Sequence, residues 1–482
     1  MLSRRQLALG AATTGVALMA AQQGVAAARA AAPARVEGPI TGGKRGHPYG
    51  AYAGDLGEHG YVEEEYFVSG DAQSFKPVGQ LTEDGRWTVT PDQTAAYKTR
   101  VIVHRPRDPA KFNGLLMCEW TNVSTFNDIS NAINEPFWRS GYAYAAISAQ
   151  KMGVEGLESA PETGLRRWDM ERYGSLAIPG DGFSYDIFTR VARALASSKA
   201  RTGPDAMGGL AVRHVIATGE SQSAARLATY INAIHPAAKF FSAFIPCVLV
   251  GGGSELFNPE IVPGESMADY NKRFFTRIVK TTIRDDLVTP VLIMLSETEA
   301  RGFRVPPQPD SRWLRVWEVA GAVHGSACDT GYRPSVSDRD GIRDMIGGSD
   351  QKMVRFMPTM QAAGLAMIRW LDGGAPLARQ PRLLRGADLK TIEVDENGNA
   401  LGGVRLPEIA VPTATFDTKT SPARGGRKRF TDDRLRALYP TDAVYLDRVK
   451  AAAADCEVSD LLLPADSADY IAEAQKGPLA QG

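Results

Sequence analysis

The stretch Val215-Ile216-Ala217-Thr218-Gly219-Glu220-Ser221-Gln222-Ser223-Ala224-Ala225 decides how the rest of the chain is read. Its first half is apolar, as a buried strand is, and its second half opens a helix that runs to about residue 234. Ser221 stands at the junction, two residues after Gly219. A strand that turns at once into a helix through such a serine makes a sharp elbow, which lifts the hydroxyl above the sheet. The turn crowds the positions two residues either side of the serine, so both favour glycine. Gly219 fills the first, and the second carries Ser223, still a small residue. Taken alone, Ser221 has an ordinary alternative role, because serine is among the best helix N-caps.

Outward from the elbow, short apolar runs recur at 114–120, 142–148, 240–250, 291–295 and 314–319. A helical pattern lies between two of them, at 186–197, and another follows the last, at 360–371. Apolar strands alternating with helices predict an α/β fold, a doubly wound and mostly parallel sheet covered on both faces. Ahead of these, 61–68 and 87–103 alternate apolar with polar residues and read as antiparallel strands. Residues 251–289 are long for one crossover and carry Phe257, Tyr270, Phe274 and Phe275, which predicts a cap inserted over the sheet edge. Beyond Gly374 the chain turns rich in Pro, Gly and Arg, so residues 375–482 read as an irregular extension. The basic cluster Arg424 to Arg429 within it is expected to remain solvated.

Composition narrows the function. The chain has 482 residues, 55 Lys+Arg against 55 Asp+Glu, with 44% hydrophobic and 23% charged residues. Those values describe a globular protein and exclude disorder, collagen-like repeats and a polytopic membrane protein. No basic excess is present to neutralise phosphates, so nucleic acid is not an expected partner. Cys118, Cys247, Cys328 and Cys456 lie far apart, forming neither a disulfide framework nor a zinc pattern, and their pairing stays open.

Residues 1–32 read as an export signal. Arg4-Arg5 precedes an apolar segment from Leu7 to Ala21 and an Ala-rich run with A-x-A tripeptides. The arginine pair matches the twin-arginine pattern in part, with Ala8 where a leucine would complete it. The apolar segment is shorter than the ~20 residues that span a bilayer. Export machinery is therefore an expected partner and the location periplasmic or secreted. A chain that starts after Ala32 loses Arg4, Arg5 and Arg29 and no acid, so its net charge becomes −3.

Two further segments complete the chemistry. After the apolar run at 290–295 comes Ser296-Glu297-Thr298-Glu299, a loop with two carboxylates. A serine nucleophile needs an acid to orient its histidine and stabilise the imidazolium. Glu299 stands four residues past Leu295 and is the first candidate, with Glu297 close behind and Asp285 and Asp286 more remote. Next, the run at 314–319 leads through Gly321-Ala322-Val323 to His324. Of the other histidines, His104 and His214 lie in or beside strands, and His235 ends the elbow helix, where a cation suits the dipole. The order Ser221, Glu299, His324 is that of α/β-hydrolases, distinct from the two other serine-protease layouts. An oxyanion hole would take the backbone N–H of Gln222 and a donor near Asn122, in the loop after an early strand. Asn122 has the alternative of merely building a turn. No metal or organic cofactor is needed.

Glu119-Trp120-Thr121-Asn122-Val123-Ser124, Gly219-Glu220-Ser221-Gln222-Ser223, the Ser-Glu-Thr-Glu loop and Gly321-Ala322-Val323-His324-Gly325 together resemble a bacterial "alpha/beta hydrolase domain" family of exported proteins. Pro179-Gly180-Asp181-Gly182-Phe183-Ser184-Tyr185-Asp186-Ile187-Phe188 and Gly402-Gly403-Val404-Arg405-Leu406-Pro407 extend the likeness from about residue 40 to the C-terminus. The resemblance implies an α/β-hydrolase fold with the tail folded onto it, hence one enlarged domain over 36–482. Members of the family usually carry Asp where this chain has Glu299. The expected activity is exported serine esterase action on a small-molecule ester. Acyl transfer by the same residues, or a binding protein that keeps the scaffold, are the alternatives.

Overall fold

In this computed structural model the described residues are 32–130, 138–257, 262, 264–302, 308–328, 333–342, 353–421 and 424–481. The export signal read over 1–32 lies outside them, apart from Ala32. Among the described residues no helix is long and apolar enough to cross a membrane.

The apolar runs become strands whose two faces are both covered. In chain order the strands are β1 (Ala34–Glu37), β2 (Tyr61–Pro77), β3 (Val89–Pro106), β4 (Leu115–Trp120), β5 (Ala143–Ile147), β6 (Arg201–Thr202), β7 (His214–Glu220), β8 (Ala243–Cys247), β9 (Val291–Ser296) and β10 (Leu314–Val319). Every residue of β4, β5, β8, β9 and β10 is buried. Charged residues among them are paired. Glu318 of β10 meets Arg385 at 2.6 Å, and Arg315 donates to the Leu377 carbonyl at 2.7 Å. The sheet runs β10-β9-β8-β7-β4-β5-β3-β2-β1-β6. Neighbours from β10 to β5 are parallel, while β5, β3, β2 and β1 pair antiparallel in turn. The chain passes from β4 outward to β5 and later returns to place β7 on the other side of β4. In open α/β sheets such a reversal leaves a crevice at the carboxyl ends of the strands, and ligands bind there.

Alternate strand residues face opposite layers. Leu116, Cys118 and Trp120 pack with the helices Ser184–Ala196 and Gln222–Thr229. Leu115 and Met117 pack with the helix Met357–Leu371 and with Leu383, Val404, Ile409 and Leu435 from beyond Gly374. The C-terminal residues therefore supply a large part of the second layer. Val404 also bridges Val319 in parallel, with Gly403 at φ 68° brought so close to the Glu318 carbonyl that a Cβ would lie 2.6 Å from it. This covers the free edge of β10, which would otherwise present unpaired backbone groups. Arg427 and Arg429, expected to be solvated, instead donate to carbonyls of Gln481 and Leu479 and tie down the chain end.

Two other expectations change. The antiparallel strands run well past 61–68, because β2 continues to Pro77 and pairs with β3 across a bulge between Gln73 and Phe75. Residues 251–289 do not lie over a sheet edge: β8 and β9, which they join, are internal neighbours. The segment leans on the elbow helix, with Ser254 N–H donating to the Ala225 carbonyl at 3.1 Å. Its helix Met267–Thr276 sets Tyr270 edge-on to Phe126, centroids 5.2 Å apart, in a small cluster of its own. Phe257 is exposed, and the side chains of Phe274 and Phe275 lie outside the described residues.

Candidate active site

Ser221 follows the last residue of β7 and opens the helix Gln222–Thr229 with φ 58° and ψ −112°. A side chain held there costs on the order of 1–3 kcal/mol and persists only where its surroundings enforce it. Its N–H is pinned to the Cys247 carbonyl of β8 at 3.0 Å. The hydroxyl makes no cap hydrogen bond, so helix capping does not account for this serine. Gly219 is needed for steric reasons: a Cβ there would lie 2.9 Å from Ser223 Cβ and 3.2 Å from its carbonyl carbon. Ser223 fits in place of glycine because its hydroxyl turns inward and donates to the Glu220 carbonyl at 3.1 Å. Gly219→Ala is expected to push the elbow apart, destabilising the fold by about 1–3 kcal/mol and lowering kcat more than it raises KM. Steady-state kinetics with a urea titration reads both, and wild-type values in each would contradict this packing.

The three residues picked out by order come together. His324 Nε2 lies 2.9 Å from Ser221 Oγ, and its Nδ1 lies 2.7 Å from Glu299 Oε1. The other Glu299 oxygen accepts from Ser296 N–H at 3.1 Å and from Ser296 Oγ at 2.5 Å. Burial draws the His324 pKa down, but the charge and hydrogen bond of Glu299 outweigh it and hold the imidazole above its usual 6.5. The expected loop is a helix, Glu297–Gly302, starting directly from β9. His324 likewise opens a short helical turn, His324–Cys328.

Glu297 points elsewhere. One of its oxygens accepts from Arg301 and from Thr418 Oγ1 at 2.7 Å, the other from Gly321 N–H at 2.8 Å. It thereby fixes the Gly321-Ala322-Val323 loop that delivers His324, while Asp285 and Asp286 pair with Arg86 and Arg284. Three of the other histidines have carboxylate partners, His47 with Asp340, His104 with Glu63 and His214 with Asp372, and His59 packs its ring against Tyr52 and Trp138. His235 is not the helix-end cation expected of it. Burial, with Arg284 and Lys239 nearby, pushes its pKa down to about 4, so it stays neutral at pH 7.

Asn122 requires a correction. Its backbone N–H donates to the Ile129 carbonyl at 2.8 Å and its side-chain amide to the Glu220 carbonyl at 2.9 Å. It clamps the loop after β4 onto the elbow instead of offering its main-chain donor. The next N–H, that of Val123, has no acceptor among the described residues. Gln222, as first residue of its helix, likewise has an N–H that helix geometry leaves unpaired. Its side chain heads a buried polar chain that sequence reasoning missed. Gln222 Nε2 and Trp120 Nε1 both donate to Gln150 Oε1 at 3.0 Å, Gln150 Nε2 donates to Asp181 at 3.0 Å, and Asp181 pairs with Arg226 at 3.2 Å. Three of the quoted motifs, those holding Trp120, Asp181 and Gln222, thus meet at Gln150. Their side chains are polar or indole-bearing residues in apolar surroundings, which was the available signal.

No group of three or more His, Cys, Asp or Glu residues suited to a metal occurs among the described residues. Cys118, Cys247 and Cys456 are buried, and burial pushes the Cys118 pKa up.

The family model described as "Alpha/beta hydrolase domain" matches residues 36–472. No curated protein matches the chain. Among solved structures, the esterase Est22 with p-nitrophenol is 12% identical over 59% of this chain and 81% of its own, with a TM-score of 0.31. A fungal esterase from Rhizomucor miehei is 13% identical, covering 57% of this chain and 84% of its own, TM-score 0.26. A prolyl endopeptidase is 14% identical over 59% of this chain, TM-score 0.28, and the match spans 38% of that enzyme's length.

Proposed function

We propose that this chain, which belongs to the alpha/beta hydrolase domain family, is a serine hydrolase that cleaves carboxylic esters through an acyl-enzyme on Ser221. The observation that carries the reading is the continuous hydrogen-bonded line from Ser221 Oγ through His324 to Glu299, at 2.9 and 2.7 Å. With Nδ1–H donating to Glu299, Nε2 is left as an acceptor aimed at the serine hydroxyl. Ser221 Oγ attacks the ester carbonyl as His324 Nε2 takes its proton, then returns that proton to the departing alcohol. Water repeats the sequence against the acyl-enzyme and frees the acid. The N–H groups of Gln222 and Val123 fit the role of oxyanion donors, each such donor worth about 3 kcal/mol of barrier.

The test is Ser221→Ala on the purified protein with a series of p-nitrophenyl esters of increasing acyl length. Turnover is expected to fall by about 10⁶-fold; activity close to wild type would refute the assignment. The series also gives the acyl preference.

Export through a twin-arginine leader is part of the same proposal and rests on Arg4-Arg5 and the apolar segment behind them. Replacing both arginines with lysine is expected to leave full-length precursor in the cytoplasmic fraction. Unaltered export and processing of that variant would oppose the route.

A further inference from the structure

Ser221, Glu299 and His324 follow the carboxyl ends of their strands. At the opposite ends of β8, β9 and β10 lies a cavity of about 640 Å³, lined among others by Ser242, Pro290 and Trp313, the residues that immediately precede those strands. The strands are 5 or 6 residues long, so at ~3.3 Å per residue the cavity lies about 16–20 Å from the proposed triad. It is no part of the substrate crevice.

Its lining has one sign of charge. Lys239 and Arg312 contribute to it and no acidic residue does. Among the described residues neither cation forms an ion pair. Two carboxylates close in sequence to its lining residues are already engaged, Asp372 with Arg213 and His214, and Asp310 with Arg382. The apolar wall is aromatic. Trp313 and Trp370 stack at 6.0 Å with planes 3° apart. The Arg312 guanidinium sits 5.1 Å from the Trp313 centroid, and that of Arg315 lies 5.5 Å from the Trp370 centroid. Lys239 is held at φ 43°, in the left-handed region that a lysine seldom occupies. That conformation is the left-handed cap of the helix His235–Ala238, whose His235 carbonyl accepts the Lys239 N–H at 2.8 Å, and it leaves Lys239 in the lining of the cavity.

We propose that this cavity binds an amphipathic organic anion, an aromatic carboxylate whose ring lies against the tryptophan wall and whose charge is met by Arg312 and Lys239. Arginine meets a carboxylate with paired N–H donors, a geometry that adds specificity to charge. The aromatic wall supplies the apolar surface that a small carboxylate needs to bind above the level of bulk ion pairing. The inference does not depend on the esterase reading, because none of its residues belongs to the proposed triad.

The experiment is equilibrium dialysis of the full chain against 1-naphthoate, with uncharged 1-naphthalenemethanol in parallel. Saturable naphthoate binding is expected, weakened by roughly tenfold or more when Lys239 and Arg312 are both changed to Ala, the scale of one charge-assisted pair. Naphthalenemethanol is expected to bind at least as weakly as naphthoate does to that double variant. Lys239→Gly is the second variant: it relieves the backbone strain, so its thermal midpoint holds or rises while naphthoate binding falls. Equal binding by the double variant, equal binding of the two probes, or no naphthoate binding tighter than about 1 mM would each overturn the proposal.

Discussion

Replacing Glu299 with glutamine is expected to lower kcat for ester hydrolysis by on the order of 10³–10⁴-fold, the scale seen when a triad acid becomes its amide. The reason is the orientation that Ser296 enforces. Its N–H and hydroxyl both donate to one Glu299 oxygen, so the carbonyl of a glutamine turns toward Ser296. The NH₂ then faces His324 Nδ1, which must accept rather than donate, and the ring proton moves to Nε2. In that tautomer Nε2 has no lone pair to take the Ser221 proton.

The same variant moves the pH profile. In the wild type, burial lowers the His324 pKa but Glu299 more than reverses it, so the imidazole titrates above 6.5. Activity needs the neutral ring and rises as pH climbs through that value. The stability that the Glu299–imidazolium pair contributes runs the other way: it is complete below the unfolded pKa and is lost as pH rises through the folded one. Without the carboxylate, burial alone remains, and the acid limb of the residual activity shifts to lower pH. A pH–rate profile of wild type and Glu299→Gln checks both parts. A loss under tenfold, or an acid limb that stays in place, would contradict the role of Glu299.

The second large effect is on stability. Arg100 of β3 is buried between two carboxylates, with Nε 2.7 Å from Glu65 and Nη1 2.8 Å from Asp128, and donates also to the Tyr49 carbonyl. Glu65 has a second cation in Arg172 at 2.6 Å and a Tyr173 hydroxyl at 2.8 Å. Among the described residues Asp128 has only the hydroxyls of Thr121 and Ser148 beside Arg100. Arg100→Leu therefore strands a buried charge in the loop after β4, the loop that carries Asn122 and Val123. Breaking such a pair costs about 3–5 kcal/mol. Urea unfolding is expected to show that loss as a lower midpoint at an unchanged slope. A midpoint close to wild type would contradict the buried pairing of Arg100 with Asp128.

What was legible in the sequence follows from which forces are local. The parallel strands could be read because burial on both faces demands unbroken apolar runs, as at Leu115 to Cys118. Ser221 and His324 could be read because each stands where a strand ends. With their segment taken for a loop, only position past the strand set Glu299 ahead of Glu297. In the helix that forms there, residues two apart point about 200° away from each other, so only one of them faces His324. The role of Asn122 depended on Ile129, whose carbonyl takes its N–H, a pairing with no trace in spacing. The distal half of β2 was missed because Gly70, Asp71, Gln73 and Ser74 lack the β-branched signal of a strand. His235 was misread for want of its burial, and Arg427 and Arg429 for want of the Gln481 carbonyl they meet only in the folded chain.

The central claim is that Ser221 is a nucleophile activated by His324. Fluorophosphonate labelling of the purified chain, followed by peptide mass spectrometry, addresses it most directly. The predicted result is a single adduct on Ser221, abolished in His324→Ala. An unlabelled Ser221 in the folded wild-type protein, an adduct on another residue instead, or labelling undiminished in His324→Ala would contradict it.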